Sequence, residues 1–170
     1  SGRLSAKLYG FLKAPVENLL MQGLKAGGFT TEGETLAGMA AEVIDLMVDP
    51  EELFLIGPGT TTRAIMDRLE LDHTLLGVDA VLGRRLVETD LAEGRILELI
   101  AGRPAKIVVT VIGGQGHLFG RGNHQLSPAV IRRVGVDNVV VMAAQEKLAS
   151  LGGRPLVVDT GDPDLDRELS

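Results

Sequence analysis

Two glycine-rich stretches hold the residues best suited to chemistry. The first is Gly57-Pro58-Gly59-Thr60-Thr61-Thr62. Gly57 and Gly59 permit backbone angles closed to other residues and carry no side chain to obstruct a ligand. The three threonines offer hydroxyls and candidate helix caps. Such a turn before a helix points several backbone N–H groups at one spot, beside the positive end of the helix dipole, which suits a phosphate. The same order also makes an ordinary strand-to-helix turn. The second stretch is Gly113-Gly114-Gln115-Gly116-His117, followed by Gly120-Arg121-Gly122-Asn123-His124-Gln125. Its candidate ligand-binding residues are Gly114, Gln115, Gly116, His117, Arg121, Gly122 and Asn123. An arginine makes a bidentate clamp on phosphate, a histidine transfers protons near neutral pH, and Asn123 and Gln125 orient hydroxyls or amides. The stretch exceeds a minimal turn, and long loops in compact domains often carry function. The alternative is a surface loop whose glycines only relieve strain.

Weaker signals surround these two. Asp79 reads either as a sheet-end hydrogen-bond partner or as a ribose ligand. His117 and His124 lie at i and i+7 with no Cys anywhere in the chain, so no metal site is expected. Asp159, Asp162, Asp164 and Asp166 read as capping and solvating a terminal helix, with cation binding as the lesser alternative. No Ser-His-Asp grouping, Walker A lysine pattern or G-x-G-x-x-G fingerprint occurs, and no catalytic residue is assigned.

Composition narrows the classes. A chain of 170 residues suffices for one α/β domain with a full core. Its 45% hydrophobic and 24% charged content is that of a soluble globular protein. Aromatics are only 3%, so the core is aliphatic and base-stacking platforms are not expected. A net charge of −6 without a basic stripe argues against a nucleic-acid partner, so any phosphate site must be built locally. The absence of Cys fits the cytoplasm. No apolar run approaches membrane-spanning length, and the N-terminus lacks a signal-peptide layout.

The elements that must position these residues follow from periodicity. Leu53 to Ile56 is a continuous apolar run, as in a parallel strand covered on both faces. Helical spacing follows over Ala64 to Leu69. Upstream, Thr31 and Glu34 have capping-box spacing before a helix over Leu36 to Met47. His73 to Val81 reads as a second strand with Asp79 near its C-terminal end, where open parallel sheets hold ligands. Gly83-Arg84-Arg85 reads as a turn, and Thr89 as the cap of a helix ended by Gly102 and Pro104. Lys106 to Ile112, nearly all β-branched, should be a central strand. Ser127-Pro128 should start a helix that Gly135 stops. Asn138 to Ala143 and Leu156 to Asp159 read as strands, Gln145 to Leu151 as a short helix. Asp162 and Pro163 read as cap and first residue of a last helix. Alternating strands and helices predict one α/β domain over residues 1–170: a three-layer, mostly parallel, Rossmann-like sheet with helices on both faces. The two glycine turns should emerge on one sheet edge and hold a phosphate jointly, with Arg121 as its charge. Residues 1–28 read as an irregular arm or connector. A start at Ser1 without Met and an end soon after Pro163 suggest a piece of a longer protein.

GPGTTTRAI at 57–65, HTLLGVDAV at 73–81 and GGQGHLFGRGNHQLSPAVIRRVG at 113–135 resemble the C-terminal part of the bacterial ATP-NAD kinase-like family. RLSAKLYG at 3–10 and LASLGGRPLVVDTGDPDLD at 148–166 resemble it too. That family is described as predicted polyphosphate- or ATP-dependent NAD kinases and includes acetoin-catabolism relatives. The resemblance implies phosphoryl transfer from ATP or polyphosphate to a hydroxyl of NAD, with Mg²⁺ as a candidate cofactor of the full-length protein. The family's GGDGT signature, whose Asp is held to activate the hydroxyl, belongs to an N-terminal domain and does not occur in this chain. Gly113 to His117 only echoes it, and Gln115 cannot act as a base. The expected partners are therefore a nucleotide or phosphate ligand, with no nucleic acid and no membrane, and self-association is left open. Two alternatives stand beside this: a phosphosugar-binding isomerase- or lactonase-like domain, and a non-catalytic assembly or regulatory domain.

Overall fold

A computed structural model describes residues 32–169. The expected strand at Leu4 to Gly10 and the Thr31 cap lie outside the described residues. Helix α1 (Glu32–Leu46) leads to strand β1 (Leu53–Ile56), and helix α2 (Thr60–Arg68) follows. A hairpin of β2 (Asp79–Leu82) and β3 (Arg85–Glu88) precedes helix α3 (Glu93–Leu99). Strand β4 (Ala105–Thr110), the short β5 (His117–Phe119) and helix α4 (Pro128–Val134) come next. After a 3-10 turn come β6 (Val139–Met142), α5 (Gln145–Ser150), β7 (Val157–Val158) and α6 (Pro163–Glu168).

The main sheet has the order β3-β2-β1-β4-β6. Strands β1, β4 and β6 are mutually parallel, with β4 central among them. Strand β2 runs antiparallel to β1 and β3 antiparallel to β2, so β2 alone opposes the other four. Strand β1 is buried on both faces. Its residues alternate between two cores, as the two-residue period of a strand requires. Leu53 and Leu55 pack with α3, α4, α6 and the β5–β7 pair through Ile96, Ile131, Leu165 and Phe119. Phe54 and Ile56 pack with α1 and α2 through Val43, Ile44, Ile65 and Met66. The α/β architecture with helices on both faces is thus as the strand and helix alternation predicts.

Several elements depart from the periodic reading. The second strand is not His73 to Val81 but begins at Asp79. Its direction is reversed relative to β1, and a two-residue turn joins it to β3. Gly83 and Arg84 both have positive φ, 55° and 62°, as a type I′ hairpin needs. Residues 73–78 are held as a loop, with Gly77 packed so tightly that a β-carbon would fall 2.5 Å from Asp90 Oδ1 and Thr74 Oγ1. Strand β3 carries no strong signal, since Arg85-Leu86-Val87-Glu88 is only half-buried. The helix after it is preceded by Ala92, not Thr89. The strand expected over Leu156 to Asp159 leaves the main sheet and pairs in parallel with β5, a strand inside the stretch expected to be loop.

Local signals place the other helix starts as expected. Ser127 accepts from Val130 N–H at 3.3 Å with Pro128 in the first turn, and Gly135 ends α4 at φ 92°. Asp162 accepts from Asp164 and Leu165 N–H at 3.0 and 3.1 Å, with Pro163 following.

Candidate functional site

The C-terminal edge of the parallel strands is where β1 hands over to α2. Gly57 N–H donates to Val108 O at 2.8 Å, continuing the β1–β4 ladder, so that donor is committed to the fold. Pro58 has no N–H to give. Gly59 is the residue before α2, at φ 133° and ψ 156°, a region essentially reserved for glycine. Among the described residues no side chain caps this helix. The first bonded amide is Arg63 N–H, to Gly59 O at 3.1 Å. The earlier amides at the start of α2, of Gly59, Thr60, Thr61 and Thr62, have no intrahelical partner by construction. Gly59 is half-buried and Thr60 exposed, so this end of the helix reaches solvent. Thr61 and Thr62 are buried. Thr62 Oγ1 donates to Gly57 O at 2.7 Å, with Gly59 O 3.0 Å away, and so braces the turn from beneath.

Asp79 stands opposite Ile56 in the β1–β2 register, which brings it to the same edge. It arrives there at the start of a reversed strand, not at the end of a parallel one. Its carboxylate is 2% exposed and takes three protein donors: Thr74 N–H and Oγ–H at 2.8 Å, and Asp90 N–H at 3.0 Å. This geometry is that of the sheet-end hydrogen-bond partner.

The second glycine stretch divides into two parts. Gly113 to Gly116 close a hairpin, with Ile112 N–H on His117 O at 2.7 Å. Gly116 lies against Leu151, and Leu118 and Phe119 enter the core on the face opposite α2. Gly114 and Gln115 are exposed, and His117 Nε2 faces Gln115 Oε1 at 3.4 Å while its Nδ1 is buried without a partner among the described residues. The hairpin is thus packed on the other side of β4 from Thr60 to Thr62. The later part returns toward the turn. A β-carbon on Gly122 would touch Ile112, and one on Gly57 would lie 3.6 Å from Leu126 Cδ1. Asn123, 1% exposed, is the clasp of this part: it accepts from Gly120 N–H at 3.1 Å and donates to Leu118 O at 2.7 Å. Arg121 and Gly122 are exposed, and Arg121 forms no ion pair among the described residues.

One polar residue at this edge is not singled out by motif. Thr110 ends β4 and is 3% exposed, with its hydroxyl buried and without a hydrogen-bond partner among the described residues. The signal that finds it is a hydroxyl closing the apolar run Ile107-Val108-Val109 at a strand's C-terminal end.

The perturbed ionisations lie away from this edge. Burial, with the Asp45 charge adding to it, raises the Glu42 carboxyl on α1. The Arg132 guanidinium holds the Asp162 carboxyl below the usual carboxylate range, helped by Leu165 N–H. Among the described residues no group of three or more His, Asp or Glu is placed to hold a metal ion. Among them, too, no helix is long and apolar enough to cross a membrane.

Fold and edge together define an α/β domain with a glycine turn feeding an uncapped helix. Residues 51–170 match the ATP-NAD kinase C-terminal domain family, and the chain belongs to that family. It is an NAD kinase-related domain. No curated protein and no solved structure matches it.

Proposed function

We propose that this chain supplies nucleotide and phosphate binding to a phosphotransferase that moves a phosphoryl group from ATP or polyphosphate to a hydroxyl of NAD. The observation that carries the reading is the start of α2: a Gly-Pro-Gly turn at the C-terminal edge of β1 and β4, with no side-chain cap on the helix. Its amides and the helix dipole favour an anion there even in a chain of net charge −6. The Arg121 loop borders the same edge through Leu126 and adds the guanidinium that would hold the phosphate from the second side. The role of this chain is to bind and orient. Gln115, at the place where Gly113 to His117 echoes GGDGT, has an amide that takes no proton, so the base that activates the acceptor hydroxyl is assigned to another part of the full-length protein.

The test is calorimetric titration of the chain with ATP, tripolyphosphate, NAD and a sugar phosphate, repeated on Thr60→Pro. Proline suits the first helical position and removes one amide that the fold does not use. The helix should survive, and nucleotide or polyphosphate affinity should fall by about tenfold, the worth of one charge-assisted hydrogen bond. No binding by any phosphoryl ligand, or an unaltered affinity in Thr60→Pro, overturns the reading. Selective binding of the sugar phosphate would favour the isomerase-like alternative.

A further inference from the structure

We infer that the outer edge of β6 is a contact surface for a second copy of this chain, an inference independent of the phosphate reading above. Strand β6 ends the main sheet, and among the described residues nothing pairs with its far side. The register shows which backbone groups point there. A residue in a ladder turns its N–H and C=O to one side, and its neighbour turns both to the other. Gly57 N–H donates to Val108 O, so Val108 turns to β1 and Val109 to β6. Val109 stands opposite Val141. In a parallel pair its two bonds go to the residues flanking that position, Val140 and Met142. Val141 therefore turns its N–H and C=O outward. Val139 faces the same way, but its N–H returns to Val136 O in the 3-10 turn. The edge thus offers Val139 C=O and both groups of Val141.

The character of the edge says what covers it. An open strand edge is a template for another strand, and folds that keep an edge free blunt it with charges or a bulge. The opposite edge of this sheet has both. Strand β3 carries Arg85 and Glu88, and its register with β2 shifts between Ala80 and Val81. Strand β6 has neither. Residues 138–144, Asn-Val-Val-Val-Met-Ala-Ala, hold no charge, and the β4–β6 register runs without a shift. A second copy fits because a two-fold pair needs a patch complementary to itself. Run antiparallel about Val141, the strand sets Val141 against Val141 of the copy, and the two residues exchange both N–H···O bonds. Val140 then lies opposite Met142. No charge faces another, since the nearest, Asp137, falls opposite Gln145. A register centred on Val140 would instead set Val139 against Val141, where the Val139 N–H is already spent. Pairing about Val141 uses the groups that the fold leaves over and runs one sheet through two copies.

The experiment is sedimentation velocity of the full 170-residue chain over a concentration series, repeated on Val141→Pro. The wild type should form a dimer. Val141→Pro removes the outward N–H and leaves the β4 ladder whole, the setting in which a strand accepts proline. It should keep its circular dichroism and raise the dimer dissociation constant by at least about tenfold, for one hydrogen bond lost from each copy. A second measurement uses the absence of Cys from the chain. With a short bifunctional thiol reagent, Val141→Cys should be joined into covalent dimers. Val87→Cys, on the β3 edge and 40% exposed, should not. A wild type that stays monomeric at every concentration, the outcome if another segment of the chain takes this edge, overturns the inference. A dimer that a folded Val141→Pro leaves unchanged overturns it as well, because the copies then meet elsewhere. If Val141→Pro does not fold, the thiol reagent decides: joining through residue 141 upholds the edge, and joining through residue 87 alone, or through neither, sinks it.

Discussion

At the scale of residues, the candidate site separates side chains that hold the fold from those left over for a ligand. Asp79, Asn123 and Thr62 are polar, buried and fully engaged with protein groups. Arg121 is polar, exposed and unengaged among the described residues. The two kinds predict opposite phenotypes. Asp79→Ala strands three donors in a buried setting and should cost about 3 kcal/mol of stability, seen as a lower midpoint in urea unfolding. Arg121→Ala should leave that midpoint unchanged and weaken nucleotide binding roughly 10- to 150-fold, as the loss of a charge-assisted contact to phosphate predicts. If Arg121→Ala unfolds the chain while the affinity per folded molecule stays the same, the shared clamp fails.

At the scale of elements, the helices on the face opposite α2 are tied to one another by polar links. Ser127, the cap of α4, donates to Glu93 of α3 at 2.5 Å. Arg132 of α4 reaches Asp162, the cap of α6, at 2.8 Å. Asp162 thus serves two functions, receiving the first amides of α6 and pairing with α4. Its carboxyl is held below its usual range by Arg132 first and by Leu165 N–H second. A carboxyl with a lowered folded pKa stabilises fully above the unfolded value of about 3.9. That contribution is lost as pH falls through the folded value. Acid titration followed by circular dichroism should therefore show the wild type losing stability below about pH 4. Asp162→Asn keeps the cap but not the charge, and should show a smaller loss over the same window. Equal acid sensitivity in the two proteins would remove Asp162 from the account.

At the scale of the whole molecule, the mixed sheet divides two cores, and the candidate site sits at its edge between them. Helix α2 belongs to one core and the Gly113–His117 hairpin to the other, so only the part of the second glycine stretch after Phe119 comes near the α2 turn. This arrangement suits a binding half more than a complete catalytic centre. The 170-residue chain should accordingly form no NADP from NAD with ATP or polyphosphate, measured against a no-enzyme control by a coupled dehydrogenase assay. NADP formation above that control would place a competent base within these residues and redirect the search to His117 and its neighbours.

What the sequence by itself determined was whatever is written locally. The apolar run Leu53 to Ile56 and the β-branched run Lys106 to Ile112 announce buried central strands, because no alternation leaves a face for water. Ser127-Pro128 and Asp162-Pro163 announce helix starts, because the caps that satisfy a helix's first amides lie within a few residues of them. The glycine-threonine order announces a turn into a helix because glycine supplies the backbone angles that the sharp change of direction needs, and motif resemblance carried the family. The tertiary structure alone decided what depends on distant pairing. Strand β2 pairs antiparallel with β1, and the Gly83-Arg84 turn adds β3 on its other side, so Asp79 stands at the start of a strand and not at its end. Strand β7 pairs with β5 instead of joining the main sheet, and so carries half of the second glycine stretch to the far core. Periodicity is blind to both, since it fixes which faces of a strand are buried and not which strand lies beside it. Thr110 is the sharpest case. As a residue type it is one more β-branched strand former, and only the tertiary packing buries its hydroxyl without a hydrogen-bond partner among the described residues.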